Sequence, residues 1–394
     1  VEHIRRAGAL VHILVDSDAQ RRQLAFHLSA HGMTLDGVTF VMFETDDMWV
    51  RDYGPMSVYA GGAMGLFALV DWGYTYAGHF RDDYASRAVA DALCYPLHVV
   101  QRGAAPVVLD GGDFITDGFG TMLLSERVVS EGEGTLPDAD VLREYLGITR
   151  PVFLQNLSVG PDKHLDMYVK LLDEETLLIG ECAEGDPNGQ GVTEDLACLE
   201  ELPSCYGTPY RIFRVPMPGT MASGDLRTYT NSLIVNNHVI VPLYGHVFDE
   251  AALDTYRDAM PGYRVVGVDC SQLIMGRGAL HCITREVARS RVVLVGHARF
   301  RGPAPVGKPV EFRAQCWCFE AVEDVVLHVA EPGVQEFKTR PMSLDGSEYR
   351  VRMTPSKAGE VKYFISARTS SGLVGHKPQN AWDGGWLSLE VSEE

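Results

Sequence analysis

The stretch that decides the fold reads Asn231-Ser232-Leu233-Ile234-Val235-Asn236-Asn237-His238-Val239-Ile240-Val241-Pro242. A polar residue is followed by a short apolar run, two asparagines and a second apolar run. Asparagine tolerates the left-handed backbone that tight hairpin turns require. The stretch therefore predicts a β-hairpin that begins just after Asn231.

The same pattern recurs upstream. Hairpins are predicted after Asp52, with a turn at Gly61-Gly62, after Asp110, and after His164-Leu165-Asp166, at a period of about 50–70 residues. Segments with helical spacing, such as 82–93 and 249–256, lie between hairpins. Units of this kind favour a radial α/β array in which each covers its neighbour's apolar face. Polar residues at equivalent positions would then converge near the axis.

The pattern changes after residue 300. Short alternating strands at 310–314, 325–329, 349–353 and 361–367 follow one another with no helical segment between them. This succession predicts a small β-sandwich. We therefore predict two domains, 1–299 and 300–394. Cys316 and Cys318 share one face of a strand, which favours two packed thiols over a bridge.

Composition limits the classes of function. The 394 residues carry a formal net charge of -19, which disfavours nucleic acid as a partner and is compatible with a cationic substrate. No apolar run reaches the ~18 residues of a membrane helix. Residues 1–6 do not follow the order of a signal peptide. Eight cysteines in so long a chain are too sparse for a disulfide scaffold.

A cysteine in the segment 276–286, Gly-Arg-Gly-Ala-Leu-His-Cys-Ile-Thr-Arg-Glu, offers a nucleophile, Cys282. His164 can protonate a leaving group, and Asp52 with Asp166 can bind a planar cation that carries several N–H donors. A guanidinium fits this description. Attack by Cys282 would expel ammonia and leave an S-alkylthiouronium, which water would convert to a ureido group. Asn231 can hold the thiol or a substrate N–H.

Other interpretations remain open at this level. Taken singly, a cysteine after a glycine-rich loop is more often a buried apolar residue, and a lone histidine is often a core residue. The chain could also be a non-catalytic module that binds cationic peptides, or an enzyme that transfers the amidino group to an amine. A papain-like protease is a further alternative, although here the cysteine follows the histidine in the chain.

Five motifs resemble the bacterial peptidylarginine deiminase and agmatine deiminase group of guanidine-modifying enzymes. They occur in the expected order between residues 40 and 290, and read Met48-Trp49-Val50-Arg51-Asp52-Tyr53-Gly54-Pro55, Asp110-Gly111-Gly112-Asp113, Lys163-His164-Leu165-Asp166, Thr230-Asn231-Ser232 and Gly278-Ala279-Leu280-His281-Cys282-Ile283-Thr284. The resemblance implies a five-bladed pseudo-symmetric α/β propeller that uses no metal or organic cofactor. It implies Cys282, His164, Asp52, Asp166 and Asn231 as catalytic residues, with Trp49 and Arg51 as further substrate contacts.

The tail is similar to the Ig-like domain that follows the catalytic domain in Porphyromonas-type peptidylarginine deiminases. Asp110 stands where the agmatine enzymes have glutamate, which favours hydrolysis of peptidyl arginine to citrulline. The stretch 71–80 lacks the arginine pair that clamps a C-terminal carboxylate in that type, which disfavours a preference for C-terminal arginine. Internal peptidyl arginine and, as the alternative substrate, agmatine or another small guanidine remain open. The resemblance also favours a secreted or cell-envelope location.

Overall fold

The computed structural model describes residues 1–60, 66–102, 105–130, 139–155, 157, 163–221, 226–381 and 384–393. The Gly61-Gly62 turn lies outside these residues. The chain forms two compact units. The first comprises Val1–Val58, Ala68–Met260 and Arg264–Ala288, and the second comprises Tyr59–Phe67, Pro261–Tyr263 and Arg289–Glu394.

The first unit is mixed α/β, and its helices separate successive pairs of strands. The α-helices are Glu2–Arg6, Asp18–Ala30, Val50–Tyr53, Ala85–Leu93, Arg127–Ser130, Ala139–Leu146, Gly189–Glu201 and Asp249–Ala259. Single 3-10 turns cover Asp82–Tyr84, Leu165–Met167 and Leu273–Gly276. The two segments predicted to be helical, 82–93 and 249–256, lie within these elements.

Four three-stranded sheets follow one another along the chain. They contain Met56–Ala60, Leu66–Asp71 and Leu97–Val99; Phe114–Thr116, Thr121–Ser125 and Arg150–Leu154; Val169–Asp173, Thr176–Glu181 and Arg211–Pro216; and Leu233–Val235, His238–Leu243 and Arg264–Asp269. The third strand of each sheet runs parallel to the second. A helix occupies each parallel connection, because parallel neighbours need a long crossover. The hairpins predicted at 114–124, 167–179 and 232–242 are confirmed.

The N-terminal segment adds a shorter βαβ unit. Val11–Val15 pairs in parallel with Val38–Met42, and the helix Asp18–Ala30 connects them. Ser17 caps that helix by accepting a hydrogen bond from the Gln20 N–H at 3.2 Å. Two short pairs, Gln101–Arg102 with Ala105–Pro106 and Gly219–Thr220 with Leu226–Arg227, complete the strands described in this unit.

The middle strand of each three-stranded sheet forms the core. Thr121–Ser125 is buried at every position, and Thr176–Glu181 and His238–Leu243 are buried at all but their last residue. Strands covered on both faces show continuous apolar runs instead of alternation. The polar residues that precede these hairpins are therefore attached to sheets whose middle strands are fixed by packing.

The second unit consists of β-strands. One sheet has the order Leu294–Gly296, Val310–Trp317, Glu348–Met353 and Ser343–Asp345. The other has the order Ala304–Pro305, Leu387–Ser392, Gly359–Thr369, Val322–Ala330 and Lys338–Pro341, with Val374–Lys377 also paired to Gly359–Thr369. Both sheets contribute to one core that includes Phe312, Leu327, Tyr363 and Ile365. The strands predicted after residue 300 are thus present.

The boundary predicted between residues 299 and 300 stays a prediction. In the structure the second unit takes in residues from Arg289 onward, because Leu294–Gly296 pairs with Val310–Trp317. Cys316 and Cys318 form no disulfide and pack against the core of the second unit. Within the described residues, no helix combines the length and apolar character needed to cross a membrane.

Candidate active site

The polar residues predicted to act together stand at the entrances of successive hairpins. Asp52 lies in the short helix Val50–Tyr53, just before the first three-stranded sheet, and Asp166 lies in the turn Leu165–Met167 before the third. Asn231 precedes Leu233–Val235 of the fourth sheet. Because each residue enters its sheet at the same point, the repeat brings these side chains to one place.

Cys282 is 5% exposed and is held by Asn231. The Asn231 Nδ2 donates to Cys282 Sγ at 3.2 Å, and its Oδ1 accepts from the backbone N–H groups of His281 and Cys282 at 3.0 and 3.3 Å. Asn231 is completely buried, so its amide is fixed. It therefore sets the position of the sulfur and of the loop that carries it.

Asp52 and Asp166 both lie near the sulfur, and each has an unsatisfied oxygen. Cys282 Sγ lies 4.0 Å from Asp166 Oδ2. Oδ1 of Asp52 and Oδ1 of Asp166 are buried and accept no hydrogen bond from any residue that the structure describes. Leaving a buried carboxylate oxygen without a donor costs free energy, and native structures usually avoid it. A guanidinium supplies planar N–H donors suited to such a pair.

His164 lies between two carboxylates. Its Nε2 is 3.2 Å from Asp110 Oδ2, and its Nδ1 is 3.7 Å from Asp52 Oδ1. Burial alone would lower the pKa of His164, but the charges of Asp110 and Asp52 outweigh it and raise that pKa well above its usual value. His164 is therefore an imidazolium at neutral pH and can donate a proton.

The two carboxyl groups beside His164 have very different pKa values. Burial and the nearby Asp110 raise the pKa of Asp52 well above its usual value. Burial also acts on Asp110, but the His164 charge and the hydrogen bonds from His164 and the Gly112 N–H bring its pKa to about 2. Asp110 is thus the anionic partner of the imidazolium. Burial raises the pKa of Asp166 to about 6.

Cys282 rests as a thiol. Burial raises its pKa well above the usual value, and the charges of Asp166 and Asp52 add to the effect, whereas the Asn231 hydrogen bond opposes it. A cation bound between the two acids would cancel the electrostatic part of this shift. The site is therefore arranged so that a cationic ligand favours the nucleophilic thiolate.

Two glycines allow the groups to approach one another. A Cβ atom on Gly112 would lie 2.3 Å from His164 Nδ1 and 2.9 Å from Asp52 Oδ1. A Cβ atom on Gly278 would lie 2.6 Å from Trp49 Cζ3 and 3.0 Å from Cys282 Sγ. Trp49 therefore lies beside the sulfur, where it can cover the aliphatic part of a ligand.

Arg51, predicted to contact the substrate, is engaged elsewhere. Its side chain is 6% exposed and forms an ion pair with Glu286 at 2.6 Å, and its Nε donates to the His281 carbonyl at 3.1 Å. The Arg51 backbone N–H donates to the Cys282 carbonyl at 3.0 Å. The described contacts of Arg51 thus tie the segment that carries Asp52 to the cysteine loop.

Sequence reasoning did not assign functions to Asp110 and His281. Asp110 stands at the hairpin entrance equivalent to that of Asp52, so the repeat itself could have identified it. His281 Nδ1 lies 2.6 Å from Asp166 Oδ2, and burial with the charges of Arg51 and Lys170 lowers the pKa of His281 well below its usual value. A neutral His281 that donates to Asp166 orients that carboxylate. Its position in the sequence next to Cys282 could have identified His281 as a candidate site residue.

One part of this cluster has the dimensions of a metal site. Ligand atoms of Asp52, Asp110 and His164 all lie within 4.8 Å of one another. The contact between His164 and Asp110 already accounts for this convergence, because a protonated imidazole between two carboxyl groups is stabilised by both.

Comparisons with known proteins agree with this chemistry. Residues 1–287 match the model of the Porphyromonas-type peptidyl-arginine deiminase family. A relative from Shewanella baltica (strain OS195) named "Putative agmatine deiminase" is 29% identical over 297 residues, which cover 67% of this chain and 79% of that protein.

Two solved structures share the fold. The "Crystal structure of a putative peptidyl-arginine deiminase" superposes with a TM-score of 0.64 and 23% identity, and covers 73% of this chain and 87% of its own. Agmatine deiminase of Enterococcus faecalis superposes with a TM-score of 0.57 and 22% identity, and covers 70% of this chain and 82% of its own. With the family match over residues 1–287, the chain belongs to the Porphyromonas-type peptidyl-arginine deiminase family and is a hydrolase of amidine carbon–nitrogen bonds.

Proposed function

We propose that this deiminase hydrolyses the guanidinium group of a small guanidine of the agmatine type to a ureido group and ammonia, with Cys282 as nucleophile. The observation that carries the proposal is that Asp52 and Asp166, whose charges both act on the Cys282 thiol, each keep a buried oxygen, Oδ1, without a hydrogen bond from any described residue. Together they form an acceptor pair for a planar cation.

The first half of the reaction forms a covalent intermediate. Binding of the cation between Asp52 and Asp166 lowers the pKa of Cys282, and the thiol proton leaves to solvent. The thiolate attacks the guanidinium carbon and gives a neutral tetrahedral adduct. His164 protonates one amino group, the carbon–nitrogen bond breaks, and ammonia departs. An S-alkylthiouronium cation and a neutral His164 remain.

The second half releases the product. Neutral His164 takes a proton from water as the oxygen adds to the thiouronium carbon. The carbon–sulfur bond then breaks, the proton of the new hydroxyl passes to sulfur, and a ureido product leaves. The imidazolium and the thiol are thereby restored. Asn231 holds the sulfur throughout, and Asp110 keeps His164 in place.

The names of the relatives support a small guanidine as substrate. The Shewanella baltica protein and one of the solved structures are named as agmatine deiminases. Peptidyl arginine is the second candidate, because the matched family model describes peptidyl-arginine deiminases.

The substrate is tested by incubating the enzyme with agmatine, free arginine, and peptides with internal or C-terminal arginine. Ureido product and ammonia are both quantified, and the Cys282→Ser variant serves as the blank. The proposal expects the highest kcat/KM for agmatine. A strong preference for an arginine peptide would contradict agmatine as the substrate but would still support deimination. The absence of ureido product with every guanidine would contradict both the substrate and the reaction.

We also propose an architecture for the two units. The N-terminal βαβ unit and the four ββαβ units of the described residues would form a five-bladed α/β propeller, and the second unit an Ig-like β-sandwich. The sequential order of similar sheets supports the first part. The two-sheet core supports the second. An experimental structure of the full chain would decide both.

A further inference from the structure

A second group of converging polar side chains lies outside the proposed catalytic set. The Asp47 Oδ2 and Asp82 Oδ2 atoms lie 2.8 and 3.5 Å from His79 Nδ1. The three ligand atoms all lie within 4.8 Å of one another. The side chains of His79 and Asp47 are 24% and 18% exposed, so the group lies just below the surface.

The side-chain contacts of His79 with Asp47 and Asp82 are ion-pair contacts without hydrogen-bond geometry. His79 Nδ1 and Asp82 Oδ2 are both buried atoms without a hydrogen-bond partner among the described residues, in spite of the short distances. Asp82 is completely buried, and its other oxygen, Oδ1, already accepts from the Asp46 N–H at 2.7 Å. An unpartnered carboxylate oxygen is thus directed into a space that a ring nitrogen and a second carboxylate also face.

The charge of the group is incompletely balanced. Two carboxylates face one imidazole, and His79 is the only basic group within 4.0 Å of either among the residues that the structure describes. The neighbouring Arg81 forms ion pairs with Asp46 and Glu44 instead. A divalent cation would coordinate the two atoms that lack hydrogen bonds, His79 Nδ1 and Asp82 Oδ2, together with Asp47 Oδ2, and would offset the two negative charges.

We propose that Asp47, His79 and Asp82 bind a first-row divalent metal ion such as Zn²⁺. One imidazole nitrogen and two carboxylates suit such an ion, whereas Ca²⁺ and Mg²⁺ prefer oxygen ligands alone. The three residues provide three ligands and leave further coordination positions to water. The ion takes no part in the deimination steps, and the inference does not depend on the proposed substrate.

Such an ion would act on the active site through Asp47. The second oxygen of this residue, Oδ1, accepts a hydrogen bond from the Trp49 N–H at 2.8 Å, and the Tyr53 hydroxyl donates to the Asp47 carbonyl at 2.9 Å. Trp49 lies beside Cys282. A metal ion would therefore tie the segment around His79 to the residues that position Trp49.

The test uses the full chain with Cys282→Ser, so that the proposed nucleophile cannot bind the probe. After treatment with chelator, Zn²⁺ is titrated by calorimetry into this protein and into the same protein with His79→Gln, Asp47→Asn or His98→Gln added. His98 is an exposed histidine on the strand Leu97–Val99 and provides the matched control.

We expect one Zn²⁺ equivalent whose affinity falls by more than about 10-fold in His79→Gln and Asp47→Asn and is unchanged in His98→Gln. Zn²⁺ should also raise the melting temperature of the parent but not of the His79→Gln variant. Equal binding by the parent and both site variants, or no binding by the parent, would overturn the inference. Melting of the metal-free variants near the parent temperature would exclude misfolding as the reason for lost affinity.

Discussion

Cys282 has surroundings that keep it protonated until a cation arrives. Burial and the charges of Asp166 and Asp52 raise the pKa of its thiol, whereas the hydrogen bond from Asn231 opposes this shift. The substrate would supply the missing positive charge. Such an arrangement protects a nucleophile from side reactions and couples its activation to binding.

Replacing Asp166 by asparagine should lower the pKa of the Cys282 thiol, because an anion within 4.0 Å of sulfur disfavours the thiolate. Since the pKa of Asp166 is about 6, the effect belongs to pH values above 6. The measurement is the pH dependence of Cys282 alkylation by iodoacetamide, followed by mass spectrometry of the cysteine peptide. The midpoint should move to lower pH in Asp166→Asn and stay in place for the exposed Asp258→Asn. A midpoint that moves upward would contradict this electrostatic account.

Single site residues could be predicted from the sequence where they occupy equivalent positions of the repeat. Asp52, His164, Asp166 and Asn231 could be identified because each precedes an apolar hairpin, and the structure brings them together with Cys282. The contacts of Arg51 could not be predicted. Its partner Glu286 is 235 residues away in the chain, and only the tertiary fold joins them.

At the level of elements, the segment that precedes the second three-stranded sheet needs glycine at position 112. Gly112→Ala would place a Cβ atom 2.3 Å from His164 Nδ1, so the imidazole must move away from Asp52 and Asp110. We expect kcat to fall by about 100-fold or more, since small misplacements of catalytic groups have effects of this size. The control is Gly189→Ala, where a Cβ atom finds only ordinary contacts. Wild-type kcat in Gly112→Ala would show that the His164 position is not needed for turnover.

Asp71 tests how burial in a core strand changes the pKa of a carboxyl group. It ends the strand Leu66–Asp71 and is 7% exposed, and burial raises its pKa to about 6 from the usual 3.8. A raised pKa means that its contribution to stability is complete below pH 3.8 and is lost as the pH rises through 6. Relative to Asp71→Asn, the wild type should therefore lose on the order of 2 kcal/mol between these limits.

Urea unfolding of both proteins at several pH values provides the measurement, with the exposed Asp91→Asn as control. The unfolding free energy of the wild type relative to Asp71→Asn should fall as the pH rises from 3.8 to 6, and Asp91→Asn shows the effect of removing a surface carboxylate. A pH-independent difference for Asp71→Asn would mean that Asp71 keeps an ordinary pKa in the folded protein.

Hairpins were predictable as elements, but the N-terminal unit was not. Apolar runs flanking a turn identify a hairpin locally, whereas Val11–Val15 and Val38–Met42 pair across an intervening helix and have no hairpin between them. The strand Leu294–Gly296 lies within the first of the two domains predicted from the sequence, 1–299. Its pairing with Val310–Trp317 depends on a contact between segments that no local pattern marks.

At the scale of the whole molecule, the net charge of -19 should assist the encounter with a cationic guanidine. Added salt screens this attraction over distances beyond about 10 Å at 0.1 M. We expect kcat/KM for agmatine to fall as ionic strength rises from low values, with kcat nearly unchanged. Steady-state kinetics in a series of NaCl concentrations tests this, and a kcat/KM independent of salt would show that long-range attraction does not contribute.

The central claim is that the guanidinium carbon becomes bonded to Cys282. Rapid acid quench of the enzyme during turnover of agmatine, followed by mass spectrometry of the peptide containing residue 282, tests it most directly. We expect the mass of the Cys282 peptide to increase by the mass of agmatine minus that of ammonia. Neither this increase nor turnover should occur in Cys282→Ser. Ureido product formed at the wild-type rate by Cys282→Ser would contradict it.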